Sequence, residues 1–582
     1  MDDVFERLRQ RKIVQWSLAY LAAAFALIQM LDLVGQRFGW PDWVARATIV
    51  AAAIGLVVTL VLAWYHGERG QQRVTGIELV IVAILLAIGG ALLWRVARPA
   101  HETAAAALAS APAGAAAHVD SKSIAVLPLV NTSGDPSNEY FSDGLSEELI
   151  SVLARIPDLK IIGRTSSFRF KNTNDDSRTI GERLGVANLL EGSVRKQGDR
   201  VRIAVDLIAA VDGRQLWAAT YDRELKDIFA VQSEIATAVV DQLKVKLLGG
   251  ETAVPVSTRD PSLPAYTAML QGAHLVPNFN ETDLRRAIVY FEEATRLDPQ
   301  YALAYAQLAS AWRSLSALYL SDPAQVADAY ERARSAAGTA LKLAPDLSEA
   351  HTALGYLKLT ADLDFSGAGV EFRRAVELAP GDYRSVDALA YLLAAQGRLD
   401  EAESIARRAR ELDPLSVTPI FNIARIQMAT NRLDDAEASV RKAIAVQPRL
   451  SHAYAYLTVI DLVRNDPTAA RRDADLEPAG FWHDYADTLA RQREGDRGAA
   501  DAALNTMIEK YRYGGPFQVA IVYALRKEPD RVFEWLEKAW EAKDSGLTQL
   551  FVTPFLIDYR DDPRFAAIAA RLGVDSTRDG RN

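Results

Sequence analysis

The 582-residue sequence predicts a multidomain protein: three transmembrane α-helices, a small α/β domain, and an all-α superhelix of stacked helix pairs, an α-solenoid. Three observations carry that prediction. Three apolar runs of membrane-crossing length crowd the first hundred residues. Between residues 121 and 250, short strands rich in Val, Ile and Leu alternate with amphipathic helices. From Ala302 onward, prolines recur at Pro345, Pro380, Pro414 and Pro448, in steps of 35, 34 and 34 residues.

Residues 1–12 form a basic head containing Arg7, Arg9, Arg11 and Lys12. In the region 13–96, the runs Ile13–Val34, Ala45–Tyr65 and Ile77–Val96 are each long enough to cross a hydrocarbon core of about 30 Å at a helical rise of about 1.5 Å per residue. Trp16, Trp40, Trp43, Trp64, Tyr65 and Trp94 stand where the membrane interfaces would fall. The basic head, with Arg69 and Arg73 between the second and third runs, assigns both segments to the cytoplasm. An odd number of spans then puts everything after about residue 97 on the outer side, and makes the lipid bilayer an expected partner. Residues 97–120 are rich in Ala and Pro and have too little apolar bulk for a core, so they read as a linker.

The α/β domain spans 121–250. Ile124–Leu129 and Leu159–Ile162 read as strands, with a helix from Asp143 to Arg155 between them and a short helix over Thr179–Leu184. Asn188–Arg195, Arg200–Ile208 and Gln215–Tyr221 follow as three strands joined at Gln197-Gly198-Asp199 and Asp212-Gly213. A helix over Ile228–Leu247 and a connector, 251–263, lead to the repeats.

In the region 264–575, small residues recur before each proline: Ala368 and Ala375 before Pro380, Ala402 and Ala409 before Pro414, Ala436 and Ala443 before Pro448. A period near 34 with two helical patterns per unit is the signature of tetratricopeptide repeats (TPR). One such pair cannot bury its apolar face alone, so the units stack and leave a concave surface. Gly397 and Asn431 fall at inter-helix turns. The unit closing at Pro345 is long, which places a loop near Leu315–Ala324. After Ser451 the pattern decays, and residues 576–582 are a tail.

Composition narrows the function. The formal net charge of −9 gives no indication of a nucleic-acid partner, and the absence of cysteine removes disulfides, thiolate metal sites and cysteine nucleophiles. The seven histidines include no pair at i, i+4, and no phosphate loop, nucleophile elbow or dinucleotide fingerprint is present. No catalytic, cofactor-binding or metal-ligating residue is therefore assigned, and the chain reads as a non-enzyme. The acidic run Asp135, Glu139, Asp143, Glu147 and Glu148 suits helix capping and first-turn carboxylates better than a hard-cation site. Arg164, Thr165, Ser166 and Ser167 could cup an anion, though a polar loop explains them as well. Counting along each unit, the positions that face the groove are Tyr356, Arg384, Asp387, Tyr391, Phe421 and Arg425. Aromatic and arginine anchors beside a carboxylate suit a protein or peptide ligand, whereas Tyr356 and Tyr391 could equally be packing between repeats.

The phrases IAVLPLVNTSGDPSNEYFSDGLSEELISVLARIPDLKIIGRTSSFRFK and IGERLGVANLLEGSVRKQGDRVRIAVDLIAAVDGRQLWAATYDRELKDIFAVQSEIA resemble the TolB-N-terminal-like domain family over Ser121–Leu247. In bacterial membrane proteins that domain is joined to TPR repeats, sometimes behind an adenylate cyclase or winged-helix domain. The resemblance implies a bacterial inner-membrane protein with a periplasmic α/β domain, acting as a scaffold or, alternatively, as a transmembrane sensor. A TPR-associated transferase is the third reading.

Overall fold

The computed structural model describes residues 120–243 and 259–574, short of 279, 321, 449 and 512–514, together with Tyr20 and Ala24. The chain divides into two compact units, 1–115 and 116–582, and the described architecture lies in the second.

That unit begins with a mixed sheet. Strand β1 (Ser123–Val126) lies between β3 (Lys160–Ile161) and β4 (Asn188–Gln197), parallel to both, and the short β2 (Val130–Asn131) pairs parallel with β4 farther along. β4, β5 (Arg200–Ala209) and β6 (Gln215–Glu224) form an antiparallel meander, giving the order β3-β1-β4-β5-β6. Gly198, at φ +57°, opens the tight turn between β4 and β5. Alternation along the strands sends side chains to both faces of the sheet. Ile124, Val126 and Leu190 pack under α1 (Glu139–Ala154) and α4 (Ile228–Gln242), while Ala125, Leu127 and Leu189 pack with α3 (Ser177–Leu184). The sequence expectation that Asp143 caps α1 is corrected: the helix starts at Glu139, and Asp143 is buried inside it, bound to Lys171 and His274.

Eight antiparallel helix pairs follow among the described residues. They are α5 (Leu263–Leu275) with α6 (Glu281–Leu297), α7 (Ala302–Tyr319) with α8 (Pro323–Leu343), α9 (Ser348–Thr360) with α10 (Phe365–Leu378), and α11 (Tyr383–Ala395) with α12 (Leu399–Leu412). Then come α13 (Val417–Ala429) with α14 (Leu433–Val446), α15 (Ala453–Val463) with α16 (Pro467–Leu476), α17 (Phe481–Arg491) with α18 (Arg497–Tyr511), and α19 (Pro516–Arg526) with α20 (Pro529–Glu541). α8, α10, α12 and α14 each stop two residues before a proline, as the steric restriction on the residue preceding proline requires. Ala368, Ala375, Ala402, Ala409, Ala436 and Ala443 are all fully buried, so helices approach where only a methyl group intervenes. At Gly355 even a methyl is excluded, since a Cβ would come within 2.5 Å of the Phe372 ring. Gly397 and Asn431 both turn with positive φ, at +74° and +56°. The two helices of the long unit part at residues 320–322, inside the stretch Leu315–Ala324 expected to separate them, and the extra residues of the unit lengthen α7 and α8.

The expectation of three transmembrane helices, and with it an inner-membrane location with periplasmic domains, is also corrected: among the described residues no helix is long and apolar enough to cross a membrane. These helices bury one small-residue stripe and charge the other face. α8, the longest at 21 residues, carries Asp328, Glu331, Arg332, Arg334 and Lys342. The basic head and the runs Ile13–Val34, Ala45–Tyr65 and Ile77–Val96 lie outside the described residues apart from Tyr20 and Ala24, as do most of the linker, much of the connector and the tail.

Candidate partner-binding surface

The α/β domain is fixed to the repeats by polar contacts. α2 (Arg164–Ser167) follows β3, and Gly163 N–H just before it donates to Leu412 O at 2.7 Å. The fully buried Asp413 carboxylate accepts from Thr165 N at 3.2 Å, Ser166 N at 2.8 Å and the Ser166 hydroxyl. Burial pushes the Asp413 carboxyl up to about 6 against the pull of those hydrogen bonds. The anion gathered by the Arg164–Ser167 stretch is thus the chain's own aspartate. Gly163 has to be glycine here, because a Cβ would lie 2.5 Å from that carboxylate. Gly381 N–H to Ala154 O at 2.9 Å and Arg169 Nη2 to Val446 O at 2.8 Å extend the same seam.

The acidic run disperses to separate partners. Asp135 accepts from Ser137 N, Glu139 and Asp143 share Lys171, and Glu147 holds both Arg164 and Arg384. Glu148 accepts from the Tyr266 hydroxyl at 2.7 Å and from the Gln232 amide, joining α1, α4 and α5.

Of the six groove positions, Arg384 points to the α/β domain and pairs with Glu147 at 3.1 Å. Asp387 is buried, accepts from Asn422 Nδ2 at 2.8 Å, and is pushed up to about 6 by burial. The remaining four line successive inner helices. Tyr356 lies under the Arg313 guanidinium at 4.8 Å and edge-on to Phe372 at 5.1 Å. Tyr391 lies under the Arg425 guanidinium at 4.7 Å, and Phe421 packs against His452 and Tyr456 at 4.8 and 5.4 Å. His452 continues the row to Trp482 at 5.5 Å; burial, then Arg425, pulls its pKa down to about 4, so the ring is neutral near pH 7.

Arg425 is the focus of the surface. It is 5% exposed, and its Nη1 donates to Asn422 Oδ1 at 3.3 Å, while the buried Nε and Nη2 find no hydrogen-bond partner among the described residues. It borders a cavity of about 40 Å³ shared with Met428, Tyr456, Trp482, Tyr485 and Gln549.

Part of this surface is already occupied. After α20 the chain forms a 3-10 turn, Ser545–Gln549, and the short α21 (Pro554–Ile557), which pack against the inner helices α9, α11, α13 and α19. Thr548 Oγ1 lies 2.7 Å from Tyr391 Oη, and Tyr456 Oη donates to Gln549 Oε1 at 3.3 Å. Leu547 and Leu550 are fully buried beneath. Sequence reasoning missed this turn, along with His452, Tyr456 and Trp482. His452 was within reach of the repeat count, two periods of 34 beyond Arg384; the turn lies where no period operates.

Residues 393–458 match the family model for the tetratricopeptide repeat. A protein of Rhizobium meliloti (strain 1021) named "Putative adenylate cyclase 3" is 40% identical over 186 residues, 32% of this chain and 32% of that protein, so the match spans about a third of that relative's length. Among solved structures, PilW, a widely conserved type IV pilus biogenesis factor, is similar with a TM-score of 0.30 and 18% identity, over 37% of this chain and 92% of that one. YrrB, a TPR protein with an unusual peptide-binding site, is similar with a TM-score of 0.22 and 23% identity, over 32% of this chain and 87% of that one. The chain carries tetratricopeptide repeats, matched over residues 393–458.

Proposed function

We propose that the repeat array grips a protein or peptide partner on its inner surface along Tyr356, Tyr391, Phe421 and Arg425, with the α/β domain as a second interaction or sensing module. The observation that carries this is Arg425: a buried guanidinium with two unpartnered donor atoms, walled by aromatic rings. Aromatic and arginine side chains are the residues that dominate binding energy at interfaces. The partner competes with the turn Ser545–Gln549 for the hydroxyl of Tyr391. The α/β domain's likeness to the TolB-N-terminal family supports the second module, and its seam at Asp413 keeps the two modules in fixed register. The name of the Rhizobium relative supplies no activity to this proposal, which assigns binding and no catalysis.

Affinity capture with the full chain tests it. An Arg425→Gln variant whose circular dichroism matches the wild type should retain its partner at least about tenfold less well, equivalent to about 1.4 kcal/mol. Undiminished capture would remove the site from the groove and move it to the α/β domain.

A further inference from the structure

Two arginines near Arg425 are already engaged: Arg384 by Glu147, and Arg313 by the Tyr356 ring and the Ser314 hydroxyl. Arg425 is held at one corner only, through Nη1 and Asn422 Oδ1, and the Tyr391 ring covers one face of its guanidinium at 4.7 Å. Among the described residues, Nε and Nη2 stay without a partner. Those two N–H groups lie in the guanidinium plane, side by side and pointing the same way. They form the fork that takes both oxygens of one carboxylate, and a ring on the face leaves that plane free.

The adjoining space limits what can enter. At about 10–15 Å³ for each water-sized sphere, the cavity of about 40 Å³ beside Arg425 holds about three. A carboxylate has three heavy atoms and a phosphate group five. The carboxylate already nearest acts only at second hand. Asp387 accepts from Asn422 Nδ2 at 2.8 Å, and Asn422 Oδ1 in turn accepts from Arg425, so Asn422 relays the aspartate to the guanidinium at the corner away from the fork.

We propose, resting on the peptide-binding reading above, that Arg425 takes a carboxylate of the partner side-on through Nε and Nη2, and that Asp387 opposes it through Asn422. Burial pushes the Asp387 carboxyl up to about 6 against Asn422, Thr418 and Arg425, so it gives up its charge in mild acid. A peptide carboxylate, ordinarily at about 3.5–4.3, keeps its charge there. Affinity therefore rises as pH falls through about 6, and the bound carboxylate reciprocally draws a proton onto Asp387. The other groups around Asp387 hold their charge between pH 5 and 7.5. α9 presents Tyr356, whose phenol burial and then Asp387 push up, and α13 presents Arg425. Among the described residues, α10, α12 and the turn Ser545–Gln549 bring no charged group to Asp387. His452, beside Arg425, titrates near 4.

Three synthetic octapeptide pools free of His test this on the full chain at pH 5 and 7.5, with retained peptide measured by mass spectrometry. The first has free C-termini and no Asp or Glu, the second is amidated with one Glu, and the third is amidated with no acid. At pH 5 the wild type should retain the first or the second at least about thirtyfold over the third. Which of the two it prefers names the carboxylate as a chain end or a side chain. At pH 7.5 the preference should fall about tenfold, the worth of one pKa unit. Arg425→Lys keeps the charge without the fork and should lose most of the preference, and Arg425→Gln all of it. Asp387→Asn should retain at pH 7.5 what the wild type retains at pH 5. Pools retained alike, and lost together in Phe421→Ala, overturn the carboxylate and leave the groove reading standing. A preference that survives Arg425→Gln, or one indifferent to pH and to Asp387→Asn, also overturns the proposal. A chain that retains none of the pools overturns this proposal and the groove reading together.

Discussion

Replacing Glu148 with glutamine should make the protein more stable above neutral pH and leave it unchanged in mild acid. Burial, opposed by hydrogen bonds from Tyr266 and Gln232, raises this carboxyl from 4.5 to about 7. A carboxyl with a raised folded-state pKa binds a proton more tightly in the folded chain. Its contribution is complete below pH 4.5 and is lost as pH climbs through about 7. At about 1.4 kcal/mol per tenfold, that range is worth up to about 3 kcal/mol, less because the side chain is only partly buried. Glutamine mimics the neutral acid, and its Oε1 can accept from both Tyr266 and Gln232. The variant should therefore gain about 1–3 kcal/mol over wild type at pH 8 and nothing at pH 4.5. Urea unfolding followed by circular dichroism at half-unit pH steps reads the difference, with pH effects common to both chains cancelling. A constant gap across that range, or a variant weaker at pH 8, would refute the assignment of Glu148 as a carboxyl held neutral by its surroundings.

Two further outcomes follow from the seam and the core. Asp413→Ala strips the acceptor from Thr165 and Ser166 and should cost about 2–4 kcal/mol, with faster amide exchange over residues 163–170 and 412–416 while α15–α20 stay protected. Phe372→Ala, at a fully buried ring packed on Gly355, should cost about 3–5 kcal/mol in urea titration. A loss under 1 kcal/mol in either case would contradict the packing described.

The repeats were legible because their information is local. Ala368 and Ala375, repeated at one period as Ala402 and Ala409, mark where neighbouring helices touch, and the prolines mark where each second helix ends. The strands of the α/β domain were legible for a similar reason, since alternation and turn chemistry act over a few residues. The start of α1 was misread because an aspartate four residues inside a helix resembles a cap until Lys171 and His274 are seen to hold it.

Spacing also named the positions on inner helices, but it could not say which remain open. Arg384 and Arg425 stand on successive inner helices, yet Glu147 takes the first while two donor atoms of the second are left unpartnered. That division depends on where the α/β domain docks and where Ser545–Ile557 folds back. Both contacts join residues more than a hundred positions apart, whose meeting is set by the curvature of the stacked repeats. By itself the sequence determined a chain of helix pairs, because each pair needs its neighbour's apolar cover. The tertiary structure alone decided that the chain fills part of its own groove, because the groove exists only once the pairs have stacked.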